Sequence, residues 1–261
     1  MKNFLLPVLI LLVSISGHAQ SPDIPSGPLV ATETPAFSHW TVTCTYAGGD
    51  NDAKRDAAYS AAAAKMAASD PVLARMLATR PDMMHRPRLK QRNVIKTGKV
   101  RVESWTYADG KQEEKWQNEK GAVTRSAFTG KFTVQMLDGE KTPDFPEFAW
   151  LNAGNFKEIK MVNGNKCMVF VGKIQVGQIE DPIFFAKDAR PVEGDEATIT
   201  ATAVINLETR MPVSVQYRDQ TRKYEYPPAP TVALTMPPEF AAVVQQVEER
   251  TKARNAPLSP P

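Results

Sequence analysis

"INLETRMPVSVQY", Ile205–Tyr217, holds the end of one strand, a charged turn, a proline and a second alternating strand. Upstream, "TITATAVINL" places Ile199, Ala201, Ala203 and Ile205 on one face and Thr198, Thr200 and Thr202 on the other. That is the period of a half-buried strand. "LETR" makes the turn. Pro212 has no N–H for a ladder, so it belongs at a strand's first residue or on an edge. Val213, Val215 and Tyr217 are then expected on one face, and "QTRKYEY" supplies a further strand. Short loops between successive strands demand antiparallel neighbours. The stretch therefore decides for an antiparallel sheet built from hairpins.

The same pattern runs backwards to about residue 94. "VRVESWTY" sends Val100 and Val102 one way and Arg101, Glu103, Trp105 and Tyr107 the other. Asp109-Gly110, Lys120-Gly121, Thr129-Gly130 and Asn163-Gly164 punctuate the strands, since glycine accepts the positive φ of a tight turn. "KCMVFVGKI" is nearly all apolar from Cys167 to Val171, as in a strand covered on both faces. Other strands have one wet face, which suits a curved meander with helices as its cover. "FSHWTVTCTY", Phe37–Tyr46, reads as an earlier strand. Residues 50–80 read as a helical insert, rich in alanine and with Pro71 suited to a first turn. "HRPRLKQR", His85–Arg92, reads as a solvated connector. "TPDFPEFAWLNAGNF", Thr142–Phe156, interrupts the meander with aromatics that fit a loop or short helix folded onto an apolar surface. After Pro237-Pro238, Phe240, Val243, Val244 and Val247 recur at helical spacing. They mark a C-terminal amphipathic helix that must dock to persist in water. The fold class is α+β: a curved antiparallel meander sheet, or half-barrel, covered by helices, with a helical insert near the N-terminus and a terminal helix.

The N-terminus reads as an export signal. Lys2 is followed by the apolar run Phe4–Ile15, and Gly17 and Ala19 stand at the small-residue positions of a cleavage site between Ala19 and Gln20. No cysteine lies near the cut, so a lipid-anchored lipoprotein is not expected. No later run is apolar and long enough to cross a bilayer. The expected organisation is a signal peptide (1–19), a flexible lead-in (20–36), a single domain (37–254) and a disordered tail (255–261), located in the periplasm or secreted. The 32 basic and 29 acidic residues nearly balance, which argues against nucleic acid as a partner. The two cysteines, Cys44 and Cys167, leave two readings open: a disulfide, which export permits, or two separate buried thiols.

The hairpin "MVNGNKCMVFVGKI" and the strand–turn–strand "I-N-L-E-T-R-M-P" resemble the periplasmic lipoprotein-carrier (LolA-like) superfamily over roughly residues 94–236. That resemblance implies a curved half-barrel closed by helices over an apolar cavity, with acyl chains or lipoproteins as ligands. No family ligand contact maps onto a position here, and the first strand and alanine-rich insert depart from the pattern.

The residues carry no catalytic or metal motif: no HExxH, CxxC, G-x-S-x-G or phosphate-binding glycine loop. Neither an enzyme nor a cofactor is expected. The aromatics Trp105, Tyr107, Trp116, Phe132, Phe145, Phe148 and Trp150 are the candidate ligand-binding set, expected where the sheet meets its covering loop. A filled core is the commoner use of such residues. Two functions follow. One is an exported, non-enzymatic carrier holding an apolar small molecule, lipid or lipoprotein between sheet and helices. The other is an envelope interaction or sensor module with a filled core and a protein partner.

Overall fold

Eleven antiparallel strands form one curved, unclosed sheet in the computed structural model, which describes residues 26–47, 65, 68, 71, 72, 75, 88–136, 143–175 and 198–255. The strands are β1 (Phe37–Tyr46), β2 (Leu89–Thr97), β3 (Val100–Tyr107), β4 (Gln112–Gln117), β5 (Gly121–Arg125) and β6 (Phe132–Met136). After a crossing come β7 (Phe156–Val162), β8 (Asn165–Gln175), β9 (Thr198–Asn206), β10 (Pro212–Tyr217) and β11 (Gln220–Glu225). A helix, α1 (Pro238–Asn255), follows. Their spatial order is β6-β5-β4-β3-β2-β1-β11-β10-β9-β8-β7. This is two meanders joined by the pairing of β1 with β11, rather than the single run expected from residue 94 onward.

β1 therefore stands near the middle of the sheet. Val42 lies opposite Tyr224 on one side and Arg92 on the other. The basic stretch before residue 93 is no solvated connector from Leu89 onward, because β2 begins there and Arg92 is buried. Nor are residues 29–34 of the lead-in loose. Leu29 and Val30 pack against the main core, Thr34 is buried, and the Ala31 N–H donates to Arg210 O at 2.9 Å. Of the expected insert, Lys65, Ala68, Pro71, Val72 and Arg75 are helical and exposed. Its remaining residues, the export signal and the tail beyond Asn255 lie outside the described residues.

Alternation gives the sheet two distinct faces. The inner face carries the larger core, including Trp40, Val42, Val94, Met168, Phe170, Ala203 and Val215. On the outer face, Val100, Val102, Trp116, Val123 and Val134 form a second cluster with Phe240 and Val244 of α1. The terminal helix thus docks through the expected stripe, but on the face opposite the main core. β9 alternates as its sequence demands, with Ala201, Ala203 and Ile205 buried. In β8, Cys167, Met168, Val169 and Phe170 are all buried, so both faces are covered there.

The β9–β10 turn rests on Asn206. Its Oδ1 accepts the N–H groups of Glu208 and Thr209, both at 2.9 Å, and its carbonyl accepts the Arg210 N–H at 3.0 Å. Arg210 takes a left-handed φ of 60° to complete the turn. Pro212 is the strand's first residue and lies buried opposite Ile205. The register then slips, with Ser214 opposite Val204. Val213 is the bulged residue, so Pro212, not Val213, shares the inner face with Val215 and Tyr217. Asn206→Ala removes two backbone partners at once. It is expected to cost about 1–2 kcal/mol of unfolding free energy in a urea titration.

The structure has no bridge between Cys44 and Cys167. Cys44 is on β1 and Cys167 on β8, with β11, β10 and β9 between them. Four strand spacings come to roughly 19 Å along the sheet, far beyond disulfide reach. Burial pushes the Cys167 thiol up. Alkylation of the unfolded, unreduced chain should add two alkyl groups by intact mass. A mass unchanged until reductant is added would show a bridge.

Candidate functional site

β6 and β7 follow one another in sequence but occupy opposite edges of the sheet. The chain between them must cross a face. Residues 143–156 do this as a strap over the inner face, reaching from β3, where Asp144 meets Arg101, to β7. Seven strand spacings make roughly 34 Å along the sheet. A helix of a dozen residues spans roughly 18 Å, whereas an extended chain reaches about 40 Å. The strap is accordingly near-extended, with two short 3-10 turns, Pro146–Phe148 and Ala153–Asn155.

Its aromatic side chains turn inward. Phe145 packs on Trp40 with centroids 5.5 Å apart, and Phe148 meets Tyr224 edge-on at 5.5 Å. Trp150 lies over the smallest side chains of the sheet. Gly172 is opposite Ala201, and Ala203 lies between Phe170 and Val215. A Cβ added at Gly172 would stand 3.0 Å from the Trp150 ring and 2.8 Å from Asn155 Nδ2. Asn155 and Asn152 both donate to the Trp150 carbonyl, at 3.0 and 3.2 Å.

The strap's two acids fix it to the other half of the face. On β2 and β3, Val94 is opposite Glu103 and Lys96 is opposite Arg101. Glu103 accepts Arg92 Nε at 3.0 Å and Nη2 at 2.7 Å, and pairs with Arg101 Nε at 2.9 Å. Arg101 also pairs with Asp144 through Nη1. Asp144 accepts the Thr34 N–H at 2.6 Å, the Thr34 hydroxyl at 2.7 Å and Lys96 Nζ at 3.2 Å. Glu147 accepts the Tyr224 hydroxyl at 2.6 Å and lies 3.8 Å from Arg92 Nη1. Arg92, Glu103, Asp144 and Glu147 are buried, and Arg101 is half-buried.

Burial alone would raise the Glu103 carboxyl. The charges of Arg92, Arg101 and Lys115, with the Arg92 hydrogen bond, outweigh it and hold the group at about 2. For Asp144, burial again pushes up, but the Thr34 bonds, Arg101 and Lys96 bring it below the usual range. Tyr224 is driven well upward by burial and by the Glu147 carboxylate, so its hydroxyl remains a donor. Lys115 is lowered, burial outweighing Glu103. Farther along the same face, Arg222 Nη2 donates to Tyr217 OH at 2.6 Å, and Gln220 to Tyr46 OH at 2.8 Å.

The seven aromatics expected to meet in one place are divided among three. Phe145, Phe148 and Trp150 join the inner core, with Trp40 and Tyr224. Trp116 and Phe132 are on the outer face against Phe240, and Phe132 remains 37% exposed. Trp105 is buried opposite Arg92 and Glu113 on the inner face, and Tyr107 packs on Phe128 at 5.2 Å. The parity of β3 and β4 causes the division, since Glu103 and Trp105 fall opposite in face to Val102 and its partner Trp116.

Sequence reasoning missed Trp40, Arg92, Glu103, Asp144, Glu147 and Tyr224. The available signal was a charge interleaved with aromatics on one strand face, Arg101-Glu103-Trp105-Tyr107, since a wet face seldom collects two large aromatics. Three inner-side indoles, those of Trp40, Trp105 and Trp150, are buried, and their Nε1–H groups have no acceptor among the described residues. His39 bonds Asn93 at 2.7 Å on the outer face. Among the described residues no group of three His, Cys, Asp or Glu side chains is placed to hold a metal ion, and no helix is long and apolar enough to cross a membrane.

No protein-family model matches the chain, and no curated protein matches it. Two crystal structures are similar over 77% of this chain. Lipoprotein LppX of Mycobacterium tuberculosis is 8% identical, with 90% of its chain covered and a TM-score of 0.33. LprF of Mycobacterium bovis is 12% identical, with 89% covered and a TM-score of 0.35. At these scores neither likeness carries weight for function.

Proposed function

We propose that this is an exported, non-enzymatic binding or carrier protein that holds an apolar, acyl-chain-like ligand against the inner face. The observation that carries this reading is the pair of buried indole N–H groups of Trp40 and Trp150 in the inner apolar core, with that of Trp105 farther along the same face beside Arg92 and Glu113. A buried donor without an acceptor costs about 1–3 kcal/mol. A ligand with an apolar body and a few acceptor oxygens, as in a fatty acid or ester, supplies both kinds of contact. The strap has little regular structure, and its Trp150 ring sits against Gly172, which lies opposite Ala201. Lifting the strap's Trp150 end exposes the apolar floor of β8 and β9, while Asp144 and Glu147 anchor its other end to the charged part of the face.

Native mass spectrometry of protein purified from its own envelope, with a fluorescent fatty-acid titration, tests this. A bound lipid mass or saturable probe binding is expected. Bare polypeptide together with no probe binding rejects the carrier. Trp40→Phe removes the donor together with part of a wholly buried ring system. It should weaken probe binding and also lower the melting temperature through the cavity it leaves.

The second reading, an envelope interaction module, is favoured by the fact that the strap's own side chains fill the inner core. Crosslinking in cells would then recover one specific protein partner, and binding of the lipid probe would be absent.

A further inference from the structure

We propose that two copies of this chain join edge to edge through β7, extending the sheet across a twofold axis at Ile159. The proposal stands independently of the ligand. β7 is the last strand on its side of the sheet, so one row of its backbone N–H and C=O groups has no strand to pair with among the described residues. From Lys157 to Met161 the strand is exposed, with Ile159 44% and Met161 58% exposed. These two lie opposite Met168 and Lys166, on the inner-face side, while Glu158 and Lys160 point to the outer side.

The order of charges selects the partner and the register. Edge lysines ordinarily keep sheets apart. Here, the central Glu158-Ile159-Lys160 of the exposed run is its own complement when reversed, and Lys157 falls against the uncharged Met161. Antiparallel pairing about Ile159 sets Glu158 against Lys160 of the second copy, and the reverse, with Ile159 against itself. Pairing about Glu158 sets two carboxylates together, and pairing about Lys160 or Lys157 sets two ammonium groups together. Only the Ile159 register keeps inner face with inner face, avoids like charges and uses the whole strand, since Ile159 is the centre of Phe156–Val162. None of Lys157, Glu158 and Lys160 has an ion-pair partner within the described chain. The bulge at the start of β7 leaves Phe156 turned inward onto Phe170, 5.7 Å between centroids, so the new contact does not disturb the core.

Sedimentation of the full chain over a wide concentration range is expected to show a monomer–dimer equilibrium. Glu158→Lys, or Lys160→Glu, sets like charges opposite one another twice and should weaken dimerisation by about tenfold or more. The double swap, Glu158→Lys with Lys160→Glu, restores the complementarity and should restore the dimer. Ile159→Cys brings two introduced thiols together on the axis, with Cα atoms about 4.5–5.5 Å apart, within disulfide range. Mild oxidation should yield a covalent dimer. Met161→Cys, whose copies would be roughly 13 Å apart, should not crosslink. A chain that stays monomeric and forms no crosslink at position 159 overturns the proposal and leaves the edge to another partner. Equal crosslinking at 159 and 161, or a double swap as weak as the single changes, overturns the register.

Discussion

Glu103→Ala is expected to lower the unfolding free energy by about 3–5 kcal/mol, because it leaves the guanidinium groups of Arg92 and Arg101 beside no carboxylate on that strand. Glu103 joins both arginines, and Arg101 and Arg92 in turn reach the strap's Asp144 and Glu147. Its loss therefore acts on the strap as well as on the sheet. Glu103→Gln keeps the shape and removes the charge, so it isolates the electrostatic part. A carboxyl held at about 2 in the folded chain and near 4.3 when unfolded stabilises the fold at pH above the unfolded value. That contribution is lost as pH falls from about 5 towards 2. Asp144, also lowered, acts in the same direction. Urea titrations at several pH values should show the parent chain losing stability steeply below about pH 4. Glu103→Gln should be weaker at neutral pH and much flatter in acid. A variant with the parent's acid slope would show that Glu103 does not hold the cluster.

The sheet itself was open to reading from period-two patterns and turn residues, and most strands fall where those patterns place them. Asn163 and Gly164, with φ of 50° and 81°, make the tight β7–β8 turn that their types imply. What the pattern could not give was the pairing of β1 with β11. Those strands lie some 180 residues apart, and their partnership leaves no local trace. Everything that follows from it was hidden too. Once β1 and β11 pair, β6 and β7 become opposite edges, and the strap must cross the inner face. Only then does Asp144 meet Arg101 and Lys96, and Glu147 meet Tyr224. "HRPRLKQR" looked solvated because charge runs usually are, yet Arg92 falls on the inward parity of β2 beside Val94 and meets a carboxylate on the next strand. The aromatics were legible as buried residues but not as a site. Trp105 and Trp116 are assigned to opposite faces by strand parity, and only the strap's rings were correctly seen as lying on an apolar surface.

Phe240→Ala separates the terminal helix from the ligand-binding proposal. Phe240 is almost wholly buried on the outer face. Its ring meets Phe132 edge-on at 5.2 Å and Trp116 at 6.0 Å, with the Arg125 guanidinium 5.9 Å from its centroid. An 18-residue helix is marginal in water without such a contact, so its docking depends on this residue and on Val244 beside it. Removing the ring should cost about 3–5 kcal/mol if the cavity stays open, less if Val243 and Val244 settle into it. Trp116 should respond in its fluorescence, being in contact with the deleted group. Because α1 and the strap lie on opposite faces, the affinity for a fatty-acid probe should be unchanged at temperatures where the variant is folded. Phe148→Ala, on the strap, should do the reverse in part, altering probe affinity together with stability. If Phe240→Ala reduced affinity more than stability, the helix would be acting on the ligand after all, and an inner-face site served by the strap would be the wrong location. An unchanged melt would mean that the outer-face cluster does not hold the helix.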